Sequence, residues 1–263
     1  MILGASHITL ACGDMVRGTA DLAKIGYKVV FAEPALPSDP GKTPLLSTPR
    51  NIHSVAFTRA PWGLPIELVY YDASLPEPCG RFVGLFDMPA AAANGDPILA
   101  RLADVAAQAF DRRAVPSVLP GFDAPAVYAP SGTEHAGLKA AMLSVDDLDQ
   151  SQRLWSNGLG FREAATGDGW VRLDLGAPVS AWQFTIVLVG SAEPVAAPWL
   201  DGRGMTCLSF LCSSVARAGD VLTEHGALRA MSPFRSCVNG KHLNVDVLHG
   251  TAGEFIELIE ICR

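Results

Sequence analysis

The sequence predicts an α+β protein built from repeated βαβββ modules. Segments near the two ends of the chain align with each other at a nearly constant offset, and a third copy lies between them. Each copy shows one strand, one helix and three further strands. Repeats of this size indicate one supersecondary unit that is copied along the chain. With 263 residues, 49% of them hydrophobic, the chain can bury a substantial core.

Composition excludes several functional classes. The formal net charge is −7 and no cluster of Lys and Arg exists, whereas a nucleic-acid surface needs clustered cations. No apolar run reaches the ~18–20 residues of a membrane span, and the first residues lack the basic start of a secretory signal. The six cysteines show no C-x-x-C spacing and do not indicate a disulfide framework. We therefore expect a cytoplasmic protein without nucleic-acid or membrane partners.

The first module is expected at residues 1–72. Residues 6–12, SHITLAC, are rich in strand-forming residues, and residues 14–25 carry apolar positions at helical spacing. Gly26 supplies a helix stop. Three apolar or alternating segments then predict strands: YKVVFA, HSVAFTR and PIELVYY.

The terminal module, residues 201–263, repeats this order as MTCLSFLC, a helix at 214–225, ALRAM, LNVDVL and EFIELIEI. Adding 200 to the first strand's numbers places Cys207 opposite His7. The offset later falls to 190 and places Glu257 opposite Glu67, each within the letters I-E-L. The ten missing residues lie in the Pro-rich segment PALPSDPGKTPLLSTPR, which the terminal module shortens. Insertions in such loops cost little.

A further module is expected at residues 138–200. LKAAMLSV aligns with the first strand and QFTIVLVG with the fourth, which places Ala140 and Thr185 opposite His7 and Glu67. The remaining segment, 73–137, shows only a helix at 96–110 and a weak strand near Ala126. It is expected to be either a degenerate fourth module or a helical spacer.

A βαβββ unit with a His in its first strand and a Glu in its fourth resembles the vicinal-oxygen-chelate superfamily of glyoxalases, bleomycin-resistance proteins and ring-cleaving dioxygenases. The resemblance covers about residues 4–72, 138–190 and 204–262. It implies that modules pair, so that their sheets curl into half-barrels around a cavity. It also implies that the terminal module pairs with module one, and that strands one and four supply metal ligands.

The ligand positions implied by this resemblance are His7, Glu67, Cys207 and Glu257. The implied cofactor is a divalent metal (Fe, Zn, Mn or Ni) or none, and without metal Glu67 and Glu257 would act as general bases. Each residue also has a structural reading: a satisfied core His, carboxylates on a wet face, and a small buried thiol. Cys207 stands where ring-cleaving dioxygenases carry His, which disfavours an iron dioxygenase.

The sequence also suggests residues that would contact a substrate. Asn244 and Asp246 alternate on LNVDVL and are expected to face the cavity, opposite Ser54 and Ala56, with His242 at the strand's end. Alternatively, these end-of-strand groups are simply solvated.

The function implied is a metal-dependent glyoxalase/dioxygenase-type enzyme (an isomerase, lyase or oxygenase) that acts on a small molecule with vicinal oxygens. Glu67 and Glu257 would be its catalytic residues. Two alternatives stay open: a metal-free small-molecule binding or resistance protein of the same fold, and an extradiol ring-cleaving dioxygenase. The expected partner is a small-molecule substrate, and the sequence leaves a homodimer open.

Overall fold

The computed structural model describes most of the chain, namely residues 1–71, 81–88, 97–119, 121–122, 124–130, 137–176, 184–191 and 198–262. The predicted α+β fold is confirmed: strands dominate, and short helices connect them. Within these ranges no helix is both long and apolar enough to cross a membrane. Cys79 and the predicted boundaries between modules near residues 72, 137 and 200 lie outside or at the edges of the described ranges, so the division into modules stays a prediction.

The elements of the first half of the chain follow the predicted order. The first unit consists of β1 (Ile2–Ala11), α1 (Met15–Lys24), β2 (Lys28–Pro37), a 3-10 turn (Pro40–Leu45), β3 (Ile52–Arg59) and β4 (Ile66–Tyr70). The next consists of β5 (Phe82–Met88), α2 (Pro97–Phe110), β6 (Val115–Leu119) and β7 (Ala124–Pro130). The described part of residues 73–137 is therefore a βαββ unit, with more strand than a helical spacer would have.

The second half repeats the pattern twice. One unit consists of β8 (Gly137–Val145), α3 (Leu148–Arg153), a π-helical turn (Leu154–Gly158), β9 (Arg162–Gly167), β10 (Trp170–Leu175) and β11 (Phe184–Gly190). The other consists of β12 (Gly204–Cys212), α4 (Val215–Glu224), β13 (Leu228–Arg229), β14 (Phe234–Val238), β15 (Lys241–His249) and β16 (Phe255–Ile261).

The first and last units share one curved sheet. β1 pairs antiparallel with β12, and each of these strands pairs in parallel with the last strand of its own unit, β4 and β16. The strand order is β2-β3-β4-β1-β12-β16-β15-β14, so the two ends of the chain form one open half-barrel. His7 lies opposite Ser209 across the central pair, and Thr9 lies opposite Cys207.

The two middle units form the other half-barrel, in the order β9-β10-β11-β8-β5-β7-β6. The two half-barrels meet where Met205 of β12 pairs with Phe82 of β5. Helix α2 packs its Leu99 and Leu102 in one apolar cluster with Ala140 and Val187, residues of β8 and β11. Ala140 is the counterpart of His7, so α2 covers the face that corresponds to the ligand-bearing face of the first half-barrel.

The Pro-rich insertion is more ordered than a loop. β2 continues into it as far as Pro37, and the following 3-10 turn begins after Asp39, whose carboxylate accepts a hydrogen bond from Gly41 N at 2.8 Å. Leu45 and Leu46 are buried. The insertion therefore contributes fixed side chains to the edge of the first half-barrel.

Candidate functional site

A cavity of about 200 Å³ lies on the concave face of the first half-barrel, between the first and last units. His7, Glu67 and Glu257 line it, one from each of β1, β4 and β16. Most of its other lining is apolar and comes from β2, β3, β14, β15 and β16. The cavity thus combines an ionisable cluster with apolar walls.

The structure brings one imidazole and two carboxylates together. His7 Nε2 lies 3.4 Å from Glu67 Oε2 and 3.7 Å from Glu257 Oε2. His7 is 4% exposed. Its Nδ1 lies 3.1 Å from Ser6 Oγ, whereas its buried Nε2 has no hydrogen-bond partner among the described residues. One ring nitrogen is therefore held by the chain, and the other faces two carboxylates.

The pKa values of this cluster follow from mutual attraction. Burial alone would lower the pKa of His7, but the charges of Glu67 and Glu257 outweigh burial and raise the pKa above its ordinary value. Burial alone would raise the pKa of Glu67, but His7, with help from Lys42 and His53, lowers that pKa. The cluster therefore favours charged carboxylates beside a basic imidazole.

Glu257 is held by a hydroxyl donor. Ser209 Oγ donates a hydrogen bond of 2.7 Å to Glu257 Oε2. The strand register explains this contact, because β12 pairs Ser209 with Glu257 in parallel and with His7 in antiparallel fashion. Ser209 is a site residue that the sequence analysis missed, although its number differs by only two from that of Cys207.

Cys207 lies beside this cluster in a smaller cavity of about 40 Å³ that it shares with Glu67 and Glu257. It is 3% exposed. Burial, together with Glu257 and Glu67, raises the pKa of the Cys207 thiol well above its ordinary value, although Lys42 and Ser209 act in the opposite direction. The thiol therefore keeps its proton at neutral pH.

The predicted orientation of His242, Asn244 and Asp246 is wrong. Among the residues of β15, the two cavities are lined by Lys241, Leu243, Val245 and Val247. Alternate strand residues point to opposite faces, so His242, Asn244 and Asp246 lie on the far side. Asp246 is fully buried there, 3.5 Å from Arg229. The same one-residue shift affects β3, where His53, Val55 and Phe57 line the cavity instead of Ser54 and Ala56.

His53 and Lys42 are cavity residues that the sequence analysis did not select. His53 Nδ1 lies 3.0 Å from Ser38 Oγ, and its ring stacks on Tyr71 with centroids 5.7 Å apart. Burial, assisted by the nearby Lys42 charge, lowers the pKa of His53 to about 4 despite Glu67. His53 is therefore a neutral imidazole at physiological pH. A His at an alternating position of the predicted strand HSVAFTR was the available signal.

The donor set suits a divalent metal. An imidazole nitrogen and two carboxylate oxygens are ligands that Zn, Mn, Ni and Fe(II) accept. Two ligands of one tetrahedral ion with bonds of about 2.1 Å stand about 3.4 Å apart, close to the separation of His7 Nε2 from Glu67 Oε2. In the part of the chain that the structure describes, no three His, Cys, Asp or Glu side chains form a complete metal-binding group. The residues fit a metal by their chemistry, and each carboxylate contacts the same free nitrogen.

Solved structures show the same fold at low sequence identity. A putative dioxygenase from Bacillus subtilis superposes with a TM-score of 0.60 and 13% identity, covering 98% of this chain and 85% of that chain. Glyoxalase I from Zea mays gives 0.56 and 14%, covering 98% and 92%. No known family model matches the sequence, and a search of curated proteins found no significant match. The glyoxalase-like fold expected from the sequence is therefore confirmed.

Proposed function

We propose that this chain is a glyoxalase/dioxygenase-type enzyme whose divalent metal is held by His7, Glu67 and Glu257. The observation that carries this proposal is the buried Nε2 of His7, which makes no hydrogen bond among the described residues and lies within 4 Å of two carboxylates at the wall of a cavity. A buried polar atom without a partner is costly, and such atoms occur where a ligand or ion completes the site. Cys207 is left out of the proposed ligand set because it lines only the smaller cavity, which His7 does not line.

When bound, a divalent ion here would act as a Lewis acid toward two adjacent oxygens of a small molecule. Side chains of the protein would then position the ligands and transfer the proton. Ser209 fixes one oxygen of Glu257 by its hydrogen bond, which favours Glu257 as an anchored carboxylate. Glu67 has no hydroxyl donor among the described residues, so we assign to Glu67, rather than to Glu257, the transfer of a proton from the substrate and back.

The walls of the cavity support this chemistry. Phe31 and Phe57 stack with centroids 5.4 Å apart, and the Phe57 ring meets the His7 ring edge-on at 5.6 Å. Apolar walls exclude water and strengthen the electrostatic interactions of charged groups inside. The neutral imidazole of His53 can form a hydrogen bond with a substrate without adding a charge to the cavity.

Elemental analysis tests the proposal directly. Protein purified without chelator should contain about one divalent ion per chain. His7→Gln and Glu257→Gln should each lose at least about 90% of it, because each removes a proposed ligand and even the loss of a residue that only orients a ligand costs about 10–100-fold in affinity. The measurement is inductively coupled plasma mass spectrometry of variants whose folding is checked by circular dichroism.

The matched control is Glu260→Gln. Glu260 lies on the same strand as Glu257 but contacts Val215 N at the start of α4, outside the cavity. This variant should keep its metal. Wild-type protein without metal, or full occupancy in Glu257→Gln, would refute the metal-dependent enzyme.

A second candidate is a metal-free small-molecule binding protein of the same fold. The apolar walls, with the stacked pair Phe31 and Phe57, favour it because they can hold a ligand without a metal. Ligand binding that survives His7→Ala combined with Glu257→Ala would support this candidate, and strict dependence on those residues would exclude it.

The extradiol ring-cleaving dioxygenase is less well supported. Its iron face needs a second imidazole, and the corresponding position is the protonated thiol of Cys207. Oxygen uptake with a catechol, started from anaerobic Fe(II)-loaded protein, would decide the question. The cytoplasmic location and the homodimer stay predictions.

A further inference from the structure

Two lysines border the cavity, and neither has a carboxylate within 4 Å among the residues that the structure describes. Lys42 lines both the main cavity and the smaller one, and Lys241 lines the main cavity. In the described part of the chain, the Lys–carboxylate pair within 4 Å is that of Lys24 with Asp21. Lys42 Nζ instead lies over the ring of Phe234, 5.0 Å from its centroid. The charge of Lys42 acts on Glu67, whose pKa it helps to lower, but the two groups form no ion pair within 4 Å. A half-buried ammonium without a close counter-ion can accept an anionic ligand.

Lys42 is held in place. It belongs to the 3-10 turn of the Pro-rich insertion, where Lys42 N donates to Asp39 O at 2.9 Å. The insertion is tied to the far side of the half-barrel by two hydrogen bonds between Ser47 and Asp201, at 2.8 and 2.6 Å. Leu200 N donates to Leu45 O at 2.9 Å. The insertion therefore holds a cation near the ionisable cluster, and the shorter terminal module lacks this segment.

Lys241 is held at the mouth of the cavity. It follows the turn residues Asn239 and Gly240, whose φ values of 49° and 69° are those of a tight hairpin. Asn239 N donates a 2.7 Å hydrogen bond to Glu33 Oε1, which joins this hairpin to β2 of the first unit. Two cations therefore stand at separate places on a cavity that is lined by apolar side chains and by the carboxylates of Asp39, Glu67 and Glu257.

We propose that the cavity takes a small molecule with an apolar body and one anionic group, which Lys42 binds with assistance from Lys241. The inference deepens the proposed function, because it names the substrate class of the same site. The apolar body would lie against Phe31, Phe57 and Ile259, and the anionic group would form an ion pair with the Lys42 ammonium. Asp39 also lines the cavity, but its carboxylate is engaged with Gly41 N.

A pair of probes that differ by one charge tests this proposal. Naphthalene-2-sulfonate and methyl 2-naphthyl sulfone have nearly the same shape, and sulfonates are poor metal ligands. Wild-type protein should bind the sulfonate about tenfold or more tightly than the sulfone by isothermal titration calorimetry, the size expected for a charge-assisted contact. Lys42→Met should abolish this preference by weakening sulfonate binding alone.

Further variants make the result specific. Lys42→Arg should retain the preference, and Lys241→Met should weaken sulfonate binding by about threefold, since this lysine is exposed. Lys28→Met, an exposed lysine of β2 that does not line the cavity, is the matched control and should behave as wild type. Equal affinity for both probes, no binding of either, or full sulfonate affinity in Lys42→Met would overturn the proposal.

Metal content measured on the same preparations separates this proposal from the previous one. Absence of metal from wild-type protein would refute the metal-dependent enzyme and leave the sulfonate preference standing. A normal metal content with equal probe affinities would refute only the anionic substrate.

Discussion

The protonated state of Cys207 has a measurable consequence. Deprotonation would place a thiolate in a buried position beside Glu257 and Glu67, which is unfavourable on both counts. We therefore expect Cys207→Ser to retain the full wild-type metal content in elemental analysis, in contrast to Glu257→Gln. Loss of metal in Cys207→Ser would show instead that the thiolate is a ligand.

Chemical modification compares the reactivity of Cys207 with that of a second cysteine in the same protein. Cys237 is exposed on β14, so iodoacetamide at pH 8 should label it while Cys207 stays unlabelled, as read by mass spectrometry of the digested protein. Rapid labelling of Cys207 would contradict the buried, protonated thiol.

Individual site residues were predictable only where the repeat marked them. Glu67 and Glu257 occupy corresponding places in two copies, His7 corresponds to Cys207, and the structure brings His7 and the two glutamates together. Strand alternation alone supported the prediction for His242, Asn244 and Asp246. A shift of one residue moves every side chain of a strand to the opposite face, so this pattern could not decide which face they take. Asp246 shows that a buried carboxylate can belong to helix packing, since it lies beside Arg229 below α4.

Among the elements, the Pro-rich insertion depends most on a single contact. Asp201 is 3% exposed and accepts two hydrogen bonds from Ser47. Asp201→Ala leaves both donors unpaired, so the free energy of unfolding should fall by about 2–3 kcal/mol in urea titrations. Affinity for naphthalene-2-sulfonate should fall as well, because Lys42 would lose its fixed position.

The control for this variant is Asp168→Ala. Asp168 is exposed in the turn between β9 and β10, and its replacement should change the unfolding free energy by less than about 0.5 kcal/mol. If Asp201→Ala were as stable as Asp168→Ala and bound the sulfonate normally, the insertion would not depend on this anchor.

Most elements were predictable because strand and helix periodicity agreed in several copies. The helices expected at 14–25 and 214–225 are observed at Met15–Lys24 and Val215–Glu224. The segment ALRAM forms only the short strand Leu228–Arg229, and the strand Phe234–Val238 was missed. The Asn239-Gly240 turn after it was a usable hairpin signal. The order within the insertion could not be predicted, because it depends on contacts with Asp201, about 150 residues away.

The two half-barrels differ in what occupies their corresponding faces. The first keeps a cavity with ionisable groups, whereas α2 packs Leu99 and Leu102 with Ala140 in the second. A helix on that face leaves no room for a ligand, which accounts for Ala140 where the alignment has His7. The strand register does not place Thr185 opposite Glu67 at the same time, because Thr185 pairs with Ala140, whereas Glu67 pairs with Thr9 and not with His7. The sequence showed the missing ligands but could not show the helix that covers their place, because the packing side of α2 is a tertiary property.

The junction between the half-barrels contains a buried carboxyl group. Glu254 is fully buried, and it accepts hydrogen bonds from Trp155 Nε1 at 3.2 Å and from Ala252 N at 3.0 Å. Arg81, which directly precedes β5 in the second unit, donates a hydrogen bond to Ala252 O. Trp155 in turn contacts Phe82 and Phe210 edge-on. Glu254 and the nearby Ala252 thus connect the last unit with the second and third units.

This group should make the stability of the whole chain depend on pH. Burial raises the pKa of Glu254 to about 7 from an ordinary value near 4.5, although its hydrogen bonds and Arg81 act in the opposite direction. Between these two values the folded chain binds more protons than the unfolded chain, so this group lowers stability as pH rises through that window. Glu254→Gln lacks this titrating group, so its unfolding free energy does not carry the pH dependence of Glu254. The difference in unfolding free energy, variant minus wild type, should therefore increase by up to about 3 kcal/mol from pH 5 to pH 8. Urea titrations at both pH values measure this change, and Glu224→Gln, an exposed glutamate of α4, should show none. A relative stability of Glu254→Gln that stays constant from pH 5 to pH 8 would show that the Glu254 carboxyl group is ionised in the folded chain throughout.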